Sequence, residues 1–350
     1  MSIELQDLTA PPWSDFDALI DVRSPAEFAL DHIPGAMNLP VLSNAERAQI
    51  GTIYTQDSPF KARKIGAALV ARNAAAHIED HLLVHDGGWR PLVYCWRGGQ
   101  RSGAFATILR QIGWRAETLA GGYQSYRRCV VAGLYDTTLP YRVLLLDGYT
   151  GTGKTALLAR LADLGIQVID LEGMAQHRGS ALGGLHAPQP SQKGFETALS
   201  AALAKFNPAK PILVEAESAR IGQLRVPPAL WTAMQRAPRV MLAAPVAARA
   251  AYLADIYAAL MDDLPALAAR LDKLRPHLGH SQIDAWIALA QSGAAVPLAQ
   301  ALIEMHYDPV YARLHRAQDH TVAARFQTES LDSAALDALA CDIADWLSSV

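Results

Sequence analysis

The sequence predicts an α/β protein with two domains, each organised around a strand, a glycine-containing loop and a helix. The first such segment runs from Leu92 to Leu109, and the second from Val143 to Leu161. In both, an apolar run precedes the glycines and a helical pattern follows them. A chain of 350 residues is also long for one hydrophobic core. We place the domains at residues 1–135 and 136–350, with a helical region at about 246–316.

Local signals mark the elements around the first loop. Residues Leu19–Arg23 alternate as a strand does, and Ser24–Glu27 is a capping box with proline at the first helical position. Ser58 caps a further helical pattern that carries several basic residues. The strand Leu92–Cys95 then leads through its loop into a helix. These signals predict a sheet with helices packed around it.

In the second half, strands alternate with helical patterns, which is typical of a parallel sheet. Strands are expected at residues 166–170, 212–215, 239–243 and 321–326. The helical region is expected to break at Leu278–Ser281 and at Tyr307–Tyr311, where glycine or proline interrupts the pattern.

Composition excludes some functional classes. The net charge of −3 gives no overall sign of a polyanion partner, so a nucleic-acid site would have to be local. The three cysteines, Cys95, Cys129 and Cys341, form no CxxC pair, which favours reduced thiols in a cytoplasm over disulfides or a zinc cluster. No signal peptide is seen, and no apolar run approaches the roughly 20 residues that span a bilayer. We therefore expect a cytoplasmic protein without a membrane segment.

Cys95 is the candidate nucleophile of the first domain. It lies at the end of a strand, before a tight loop and a helix N-terminus, where backbone N–H groups and the helix dipole favour its thiolate. Arg97 and Arg101 add positive charge, so these three residues are the predicted catalytic group. A buried structural cysteine is the alternative, but it would not require the glycines and arginines that follow. The predicted anion-binding residues of this loop are Gly98, Gly99, Gln100 and Ser102.

The second loop matches the G-x4-G-K-T pattern of a phosphate-binding loop, with a strand before it and a helix after it. Its predicted phosphate-binding residues are Gly148, Gly151, Gly153, Lys154 and Thr155. Glu215 ends an apolar strand on the same sheet edge, so Thr155 and Glu215 are candidate ligands of Mg²⁺. Asp170 and Glu217 also follow strands, and for these two helix capping is the preferred interpretation.

The first domain resembles the rhodanese family of sulfur-transfer domains, in which the strand-end cysteine carries a persulfide. The resemblance rests on Asp21-Val22-Arg23 followed by Glu27-Phe28, on His32-Ile33-Pro34-Gly35, on the Cys95 loop and on Gly121-Gly122-Tyr123. His32 could also be a satisfied loop histidine. Asp31 replaces the usual glycine, which we expect to be a small change at a turn.

The second departure from that family is a longer loop. Five residues separate Cys95 from Arg101, where most sulfur-transferring members have four. Tyrosine and dual-specificity phosphatases use the same C-x5-R spacing, although Tyr94 stands where they usually place histidine. The wider loop suits a phosphate-bearing substrate as well as a sulfane donor.

The fusion of the two domains resembles the bacterial tRNA 2-selenouridine synthase family. Further matching motifs are His177–Ser180, Ser191–Glu196, Glu215–Ser218 and His306–Pro309. The resemblance implies tRNA(Lys), tRNA(Glu) and tRNA(Gln) with wobble 2-thiouridine as partners. It also implies S-geranylation by geranyl diphosphate, then selenium delivery from selenophosphate through a selenium-loaded Cys95. Both compounds are co-substrates, so no tightly bound cofactor is expected, and an enzyme that supplies selenophosphate is a candidate partner.

Three alternatives remain at this point. The chain could be a C-x5-R phosphatase, or a sulfurtransferase, fused to a nucleotide-dependent kinase or NTPase, or its first domain could be an inert docking unit. The phosphate loop could serve ATP, but neither proposed step needs ATP, so we assign it to geranyl diphosphate. A local basic surface could hold RNA, although such charges are often only a solvated face. Its members would be Lys61, Arg63, Lys64, Arg72, Arg90, Arg97, Arg101, Arg110, Arg115, Arg127 and Arg128.

Overall fold

A computed structural model describes residues 2–177, 188–316 and 321–349. The chain forms two compact units, the first from Met1–Thr138 with Pro190–Lys205, and the second from Leu139–Gln189 with Phe206–Val350. Each unit contains a parallel five-stranded sheet with helices, so the predicted α/β fold class is confirmed.

The first unit has the strand order β1-β5-β4-β2-β3, and every pairing is parallel. Its strands are β1 (Ser2–Ile3), β2 (Ala18–Asp21), β3 (Met37–Asn38), β4 (Pro91–Tyr94) and β5 (Glu117–Leu119). Its first five helices are α1 (Pro25–Leu30), α2 (Asn44–Gln56), α3 (Pro59–His77), α4 (Gln100–Ile112) and α5 (Gly122–Val131). The central strand β4 carries Cys95 at its carboxyl end, which is the sheet edge at which helix α4 begins.

The local signals of the sequence explain these helix boundaries. The capping box at Ser24 is present, with hydrogen bonds between Ser24 and Glu27, and the Ser58 hydroxyl accepts a hydrogen bond from the Lys61 N–H. Gly113, with φ +113°, ends α4 in the left-handed conformation that favours glycine. Helices α3 and α4 then bury Val70, Phe105 and Leu109 in one apolar cluster with strands β2 and β4.

The second unit has the strand order β12-β11-β6-β8-β7, again parallel throughout, and a separate two-stranded hairpin. The sheet contains β6 (Val143–Gly148), β7 (Gln167–Ile169), β8 (Ile212–Glu215), β11 (Arg239–Ala243) and β12 (Val322–Gln327), and the hairpin is β9 (Arg220–Ile221) with β10 (Leu224–Arg225). The register pairs Leu146 with Glu215 and Leu242 with Gly148, so the end of β6 lies between two neighbouring strand ends.

Helices α6 to α9 are α6 (Lys154–Asp163), α7 (Leu171–Ala175), α8 (Gln192–Leu203) and α9 (Pro228–Arg236). The later ones are α10 (Val246–Ile256), α11 (Ala258–Met261), α12 (Leu264–Asp272), α13 (Arg275–Leu278), α14 (His280–Gln291), α15 (Ala295–Leu302), α16 (Asp308–Arg316) and α17 (Ser333–Ser349). All four strands predicted for this half are present. The helical break at Gly279 is confirmed, since α13 ends before it and α14 follows it.

The break expected at Tyr307–Tyr311 is wrong. Residues Ile303–Tyr307 form a π-helical turn that leads directly into α16 at Asp308. Pro309 lies directly after the π-helical turn, so its missing N–H interrupts the hydrogen-bond ladder at the point where the helix already changes its pitch.

Helix α8 groups with the first unit although it lies far along the chain. Phe195 and Leu199 are fully buried, and the polar side chains of Glu196 and Thr197 are buried and hydrogen-bonded beside them. This grouping differs from a single division between residues 135 and 136. No helix in the described part of the chain is both long and apolar enough to cross a membrane.

Candidate active site

Cys95 follows β4 and is buried, with 4% of its surface exposed. The Ser102 hydroxyl donates a hydrogen bond to Cys95 Sγ over 3.3 Å. Burial disfavours the thiolate, but hydrogen bonds from the Ser102 hydroxyl and N–H, the charge of Arg101 and a hydrogen bond from the Gly99 N–H outweigh it. The pKa of Cys95 is therefore lowered, as expected for a nucleophilic thiol.

Two glycines fix the shape of the Cys95 loop. Gly98 has φ +65° and a Cβ there would overlap the Leu119 carbonyl oxygen, whereas a Cβ on Gly122 would overlap the Cys95 carbonyl oxygen. The Tyr123 N–H donates to the Cys95 carbonyl over 2.8 Å. The loop is thus held against the start of α5 before any substrate arrives, which is the preorganisation an anion cradle needs.

The two predicted arginines of this loop differ in their surroundings. Arg101 Nη1 donates to Glu27 Oε2 over 2.8 Å, and both side chains are mostly buried. Burial alone would raise the pKa of Glu27, but the hydrogen bond and charge of Arg101 lower it. Arg97 is exposed. Arg101 is therefore a fixed, partly neutralised charge, and Arg97 is the solvent-facing one.

Asp31 is a buried hydrogen-bond centre, so the expectation of a small change at a turn is wrong. Its Oδ2 accepts hydrogen bonds from the Tyr123 hydroxyl over 2.6 Å and from the Thr197 hydroxyl over 3.0 Å, and Arg127 Nη1 lies 3.7 Å away. Burial raises the pKa of Asp31, opposed by these partners. Arg127 also binds Glu196, so its charge is used inside the unit rather than on the basic surface expected from sequence.

The other residues that carry the rhodanese resemblance have buried or satisfied side chains. Arg23 forms a buried ion pair with Asp21 over 2.6 Å and lies 3.9 Å from the centroid of the Tyr123 ring. The buried Tyr94 hydroxyl accepts a hydrogen bond from a backbone N–H, and burial raises its pKa well above the ordinary value. His32 stacks on Phe28 and its Nδ1 lies 3.0 Å from that residue's carbonyl oxygen, so it is a satisfied loop histidine.

Helix α8 brings a residue to the Cys95 loop that the sequence did not identify. Lys193 Nζ lies 5.8 Å from the centroid of the Trp96 ring, and Trp96 directly follows the nucleophile. The Ser191 hydroxyl anchors this helix start by donating to the Leu30 carbonyl oxygen over 2.5 Å. The motif Ser191–Glu196 was visible in the sequence, but nothing in it indicated the domain to which it belongs.

The phosphate loop of the second unit has the expected geometry. Gly151 and Gly153 have φ +84° and +75°, and α6 begins at Lys154 directly after them. Lys154 Nζ donates to the Gly148 carbonyl oxygen over 2.9 Å. The ammonium group thus lies across the loop, where backbone N–H groups and a helix N-terminus favour a phosphate.

Glu215 lies beside this loop and carries a buried oxygen without a partner. Its Oε1 accepts from the Thr155 hydroxyl over 3.4 Å, and its Oε2 has no hydrogen-bond partner within the described residues. Burial, followed by the negative charge of Glu172, raises the pKa of Glu215 well above its ordinary value. Asp170 caps α7 by accepting from the Gly173 N–H, so the capping interpretation is confirmed for it.

The side-chain oxygens of Thr155 and Glu215 fit Mg²⁺ only together with oxygens of a bound ligand. Across residues 2–177, 188–316 and 321–349, no group of three His, Cys, Asp or Glu side chains could hold a metal ion alone. Mg²⁺ between Thr155 and Glu215 would need phosphate oxygens to complete its shell, as is usual for this ion.

A buried arginine supports the phosphate loop from the other side. Arg249 donates to both carboxylate oxygens of Asp308 over 2.9 and 2.7 Å, and to the Thr150 carbonyl oxygen over 3.2 Å. The Tyr311 hydroxyl donates to Asp147 over 2.7 Å. The motif His306–Pro309 therefore helps to hold the loop, whereas Arg178, Gly179 and Ser180 of the motif at His177 lie outside the described residues.

The chain has only a weak similarity to a solved rhodanese-related structure. A rhodanese-related protein from Thermoplasma volcanium is 19% identical, with 36% of this chain and 90% of that chain covered and a TM-score of 0.23. A TM-score this low carries no argument about this chain.

Two family models and several relatives match the sequence. The family model described as the tRNA 2-selenouridine synthase AAA domain matches residues 141–339, and the rhodanese-like domain model matches residues 4–129. The tRNA 2-selenouridine synthase of Shewanella halifaxensis is 31% identical over 84% of this chain and 87% of its own length. That of Verminephrobacter eiseniae is 35% identical over 84% and 88%, and that of Nitrosomonas europaea 35% identical over 71% and 65%, respectively. The chain belongs to the tRNA 2-selenouridine synthase family.

Proposed function

We propose that the protein is an enzyme that converts wobble 2-thiouridine to 2-selenouridine in tRNA(Lys), tRNA(Glu) and tRNA(Gln). In the first step, the thiocarbonyl sulfur is alkylated by geranyl diphosphate and diphosphate leaves. In the second, selenium from selenophosphate replaces the geranylthio group. The second step balances without a change in oxidation state, because S-geranyl-2-thiouridine, selenophosphate and water give 2-selenouridine, geranylthiol and phosphate. Alkylation comes first because it turns the sulfur into a leaving group.

We assign the geranyl step to the phosphate loop. Its backbone N–H groups and Lys154 would stabilise the charge that grows on diphosphate as the allylic carbon departs. Neither step consumes ATP, whereas this one requires a diphosphate leaving group. Mg²⁺, if held by Thr155, Glu215 and diphosphate oxygens, supplies further charge neutralisation.

We assign the selenium step to Cys95, and the observation that carries the assignment is its thiol, hydrogen-bonded to Ser102 at the base of a C-x5-R loop. Attack of the thiolate on phosphorus forms a sulfur–phosphorus bond and releases selenide, which then displaces geranylthiol from the uridine. Water next releases phosphate, and the Ser102 hydroxyl stabilises the departing thiolate. Attack on selenium, the route to the selenium-loaded Cys95 that the family resemblance implies, would expel phosphorus with the bonding electron pair. It would therefore need a separate oxidation to reach phosphate.

The setting of the reaction follows from the same proposal. The three cysteines are free, which fits a reducing cytoplasm. Exposed basic residues such as Arg97 and Arg128 would contact tRNA phosphates. An enzyme that makes selenophosphate would supply the second step.

The test is a reconstitution with purified protein, 2-thiouridine tRNA, geranyl diphosphate and selenophosphate, with no nucleotide present. Mass spectrometry of the tRNA nucleosides should detect S-geranyl-2-thiouridine before selenophosphate is added and 2-selenouridine afterwards. A strict requirement for ATP in the first step would return the phosphate loop to a nucleotide role.

The attacked atom can be tested separately. With phosphorus-labelled selenophosphate and an alkaline denaturing quench, attack on phosphorus predicts label on the peptide that contains Cys95. Selenium on that peptide without phosphorus label would support the selenium-loaded intermediate instead.

A further inference from the structure

The helices of the second unit enclose an apolar groove beside the phosphate loop. Its empty space is about 450 Å³, a figure that includes open solvent at its mouth, so it is a half-open groove rather than a closed cavity. Its lining consists of aliphatic and aromatic side chains with one methionine, and includes Leu253, Tyr257, Met261, Ala295 and Tyr307.

Helix α10 connects this groove to the phosphate loop. Leu253 lines the groove, and its Cδ1 and Cγ lie 2.9 Å from the position that a Cβ would take on Gly151. Four residues earlier, one turn along the same helix, Arg249 donates to the Thr150 carbonyl oxygen. Tyr307 also lines the groove, and the next residue, Asp308, binds Arg249. One side chain therefore separates a phosphate-binding loop from an apolar groove.

We propose that this groove holds the hydrocarbon chain of a prenyl diphosphate whose diphosphate lies in the phosphate loop. The proposal rests on the proposed function, in which this loop binds geranyl diphosphate. A ligand with a phosphate head and an apolar tail fits a phosphate loop adjoining an aliphatic wall. A nucleoside fits it less well, because a base and ribose present several polar groups and the only side-chain polar atoms of the lining, apart from the Met261 sulfur, are the hydroxyls of Tyr257 and Tyr307. The groove would then contribute affinity and select chain length.

A second groove, which lies between α12 and α14 and shares only α12 with the first, provides a matched control. It is lined by Leu264, Pro265, Ala268, Leu271, Ile287, Ala290 and Gln291, none of which lines the first groove. Ala295 and Ala268 are both partly exposed alanines, one in each groove. The variant Ala295→Phe fills the first groove and Ala268→Phe fills the second, at similar risk to folding.

The experiment is titration calorimetry of the purified full-length variants with geranyl diphosphate, dimethylallyl diphosphate and inorganic diphosphate, each with Mg²⁺. The wild type should bind geranyl diphosphate at least about tenfold more tightly than inorganic diphosphate, since each buried methylene adds to affinity. Ala295→Phe should remove most of that advantage and leave inorganic diphosphate binding unchanged. Ala268→Phe should behave as the wild type.

The outcomes separate this inference from the proposed function. If wild-type protein binds geranyl diphosphate no more tightly than inorganic diphosphate, the groove does not hold the chain. If the advantage exists but Ala295→Phe and Ala268→Phe both retain it, the chain lies elsewhere and the geranyl step itself stands. If the wild type binds neither diphosphate but binds ATP, the proposed role of the loop fails, and this inference fails with it.

Discussion

The two loops that we propose bind anions have the same architecture but carry different residues. Each follows a buried parallel strand, contains at least one glycine with positive φ and leads into a helix. The first loop begins with Cys95, whose pKa is lowered, directly after β4. The second begins at Gly148, the last residue of β6, and contains no cysteine. The same cradle for a phosphate group can therefore support covalent chemistry in one unit and leaving-group stabilisation in the other.

The loops also differ in how their positive charge is held. Arg101 of the first loop is paired with Glu27, so its position is fixed by an ion pair. Lys154 of the second loop donates to a carbonyl oxygen of the loop itself, an interaction that a phosphate can replace. The positive charge of the first loop is therefore fixed beside its cysteine, whereas that of the second loop can move to an incoming ligand.

The largest expected effect comes from removing the nucleophile. The variant Cys95→Ser should abolish selenium incorporation and leave geranylation of 2-thiouridine tRNA measurable, because only the selenium step of the proposed mechanism uses the thiolate. Mass spectrometry of the tRNA nucleosides measures both products. Cys129→Ser is the control, since no anion-binding loop follows Cys129. Full selenation by Cys95→Ser would show that Cys95 is not the nucleophile.

The next effect tests whether the first loop is preorganised. Gly98→Ala should sharply reduce selenium transfer and lower the melting temperature, because its positive φ costs about 1–2 kcal/mol for a residue with a Cβ and the new atom overlaps a carbonyl oxygen. Gly103→Ala should lose much less, since Gly103 lies inside α4 and nothing lies within 4 Å of its Cβ position. Thermal unfolding gives the melting temperature of both variants, and the rate of 2-selenouridine formation gives their activity. Equal losses in both variants would contradict a clamped loop.

A smaller effect is expected from breaking the ion pair between Arg249 and Asp308, which holds the second loop. Asp308→Asn leaves the buried Arg249 without its ionic partner, and should lower the free energy of unfolding by about 3 kcal/mol. Asp57→Asn removes an exposed pair with Lys61 and should cost less than about 1 kcal/mol. Urea unfolding of the two variants compares them. Similar small losses would mean that Arg249 does not depend on Asp308.

The smallest expected effect is a difference in the pH dependence of alkylation between Cys95 and Cys129. The pKa of Cys95 is lowered, and burial raises that of Cys129. A lowered pKa keeps the thiolate populated to lower pH, so alkylation of Cys95 by iodoacetamide should reach half its maximal rate at a lower pH than that of Cys129. Peptide mass spectrometry at a series of pH values measures the alkylation rate of each cysteine. Because each rate is scaled to its own maximum, the pH at half-maximal rate does not depend on how accessible the thiol is. A higher midpoint for Cys95 would contradict an activated thiol.

The sequence predicted the parts of both loops that are contiguous in the chain. Cys95 with its glycines, and Gly148 to Thr155 with their strand and helix, are recognisable because the chemistry requires those residue types at fixed spacing. The strand carrying Glu215 was also predictable, because an apolar run ended in a carboxylate.

The missed features depend on contacts between distant residues. Helix α8 joins the first unit, and the pair of Lys193 with Trp96 depends on that grouping. Arg249 meets Asp308 only because α10 packs against the π-helical turn Ile303–Tyr307, which leads directly into α16. The substitution at Asp31 is central because Tyr123 and Thr197 converge on it. Periodicity and motif spacing carry no information about such contacts.

The division of labour between the loops is tested most directly with Lys154→Ala and two tRNA substrates. Supplied with 2-thiouridine tRNA, geranyl diphosphate and selenophosphate, this variant should form neither the geranylated nor the selenated product. Supplied with tRNA that already carries S-geranyl-2-thiouridine, plus selenophosphate, it should form 2-selenouridine at close to the wild-type rate, whereas Cys95→Ser should form none. If Lys154→Ala binds the geranylated tRNA normally yet cannot selenate it, the two steps do not belong to separate loops.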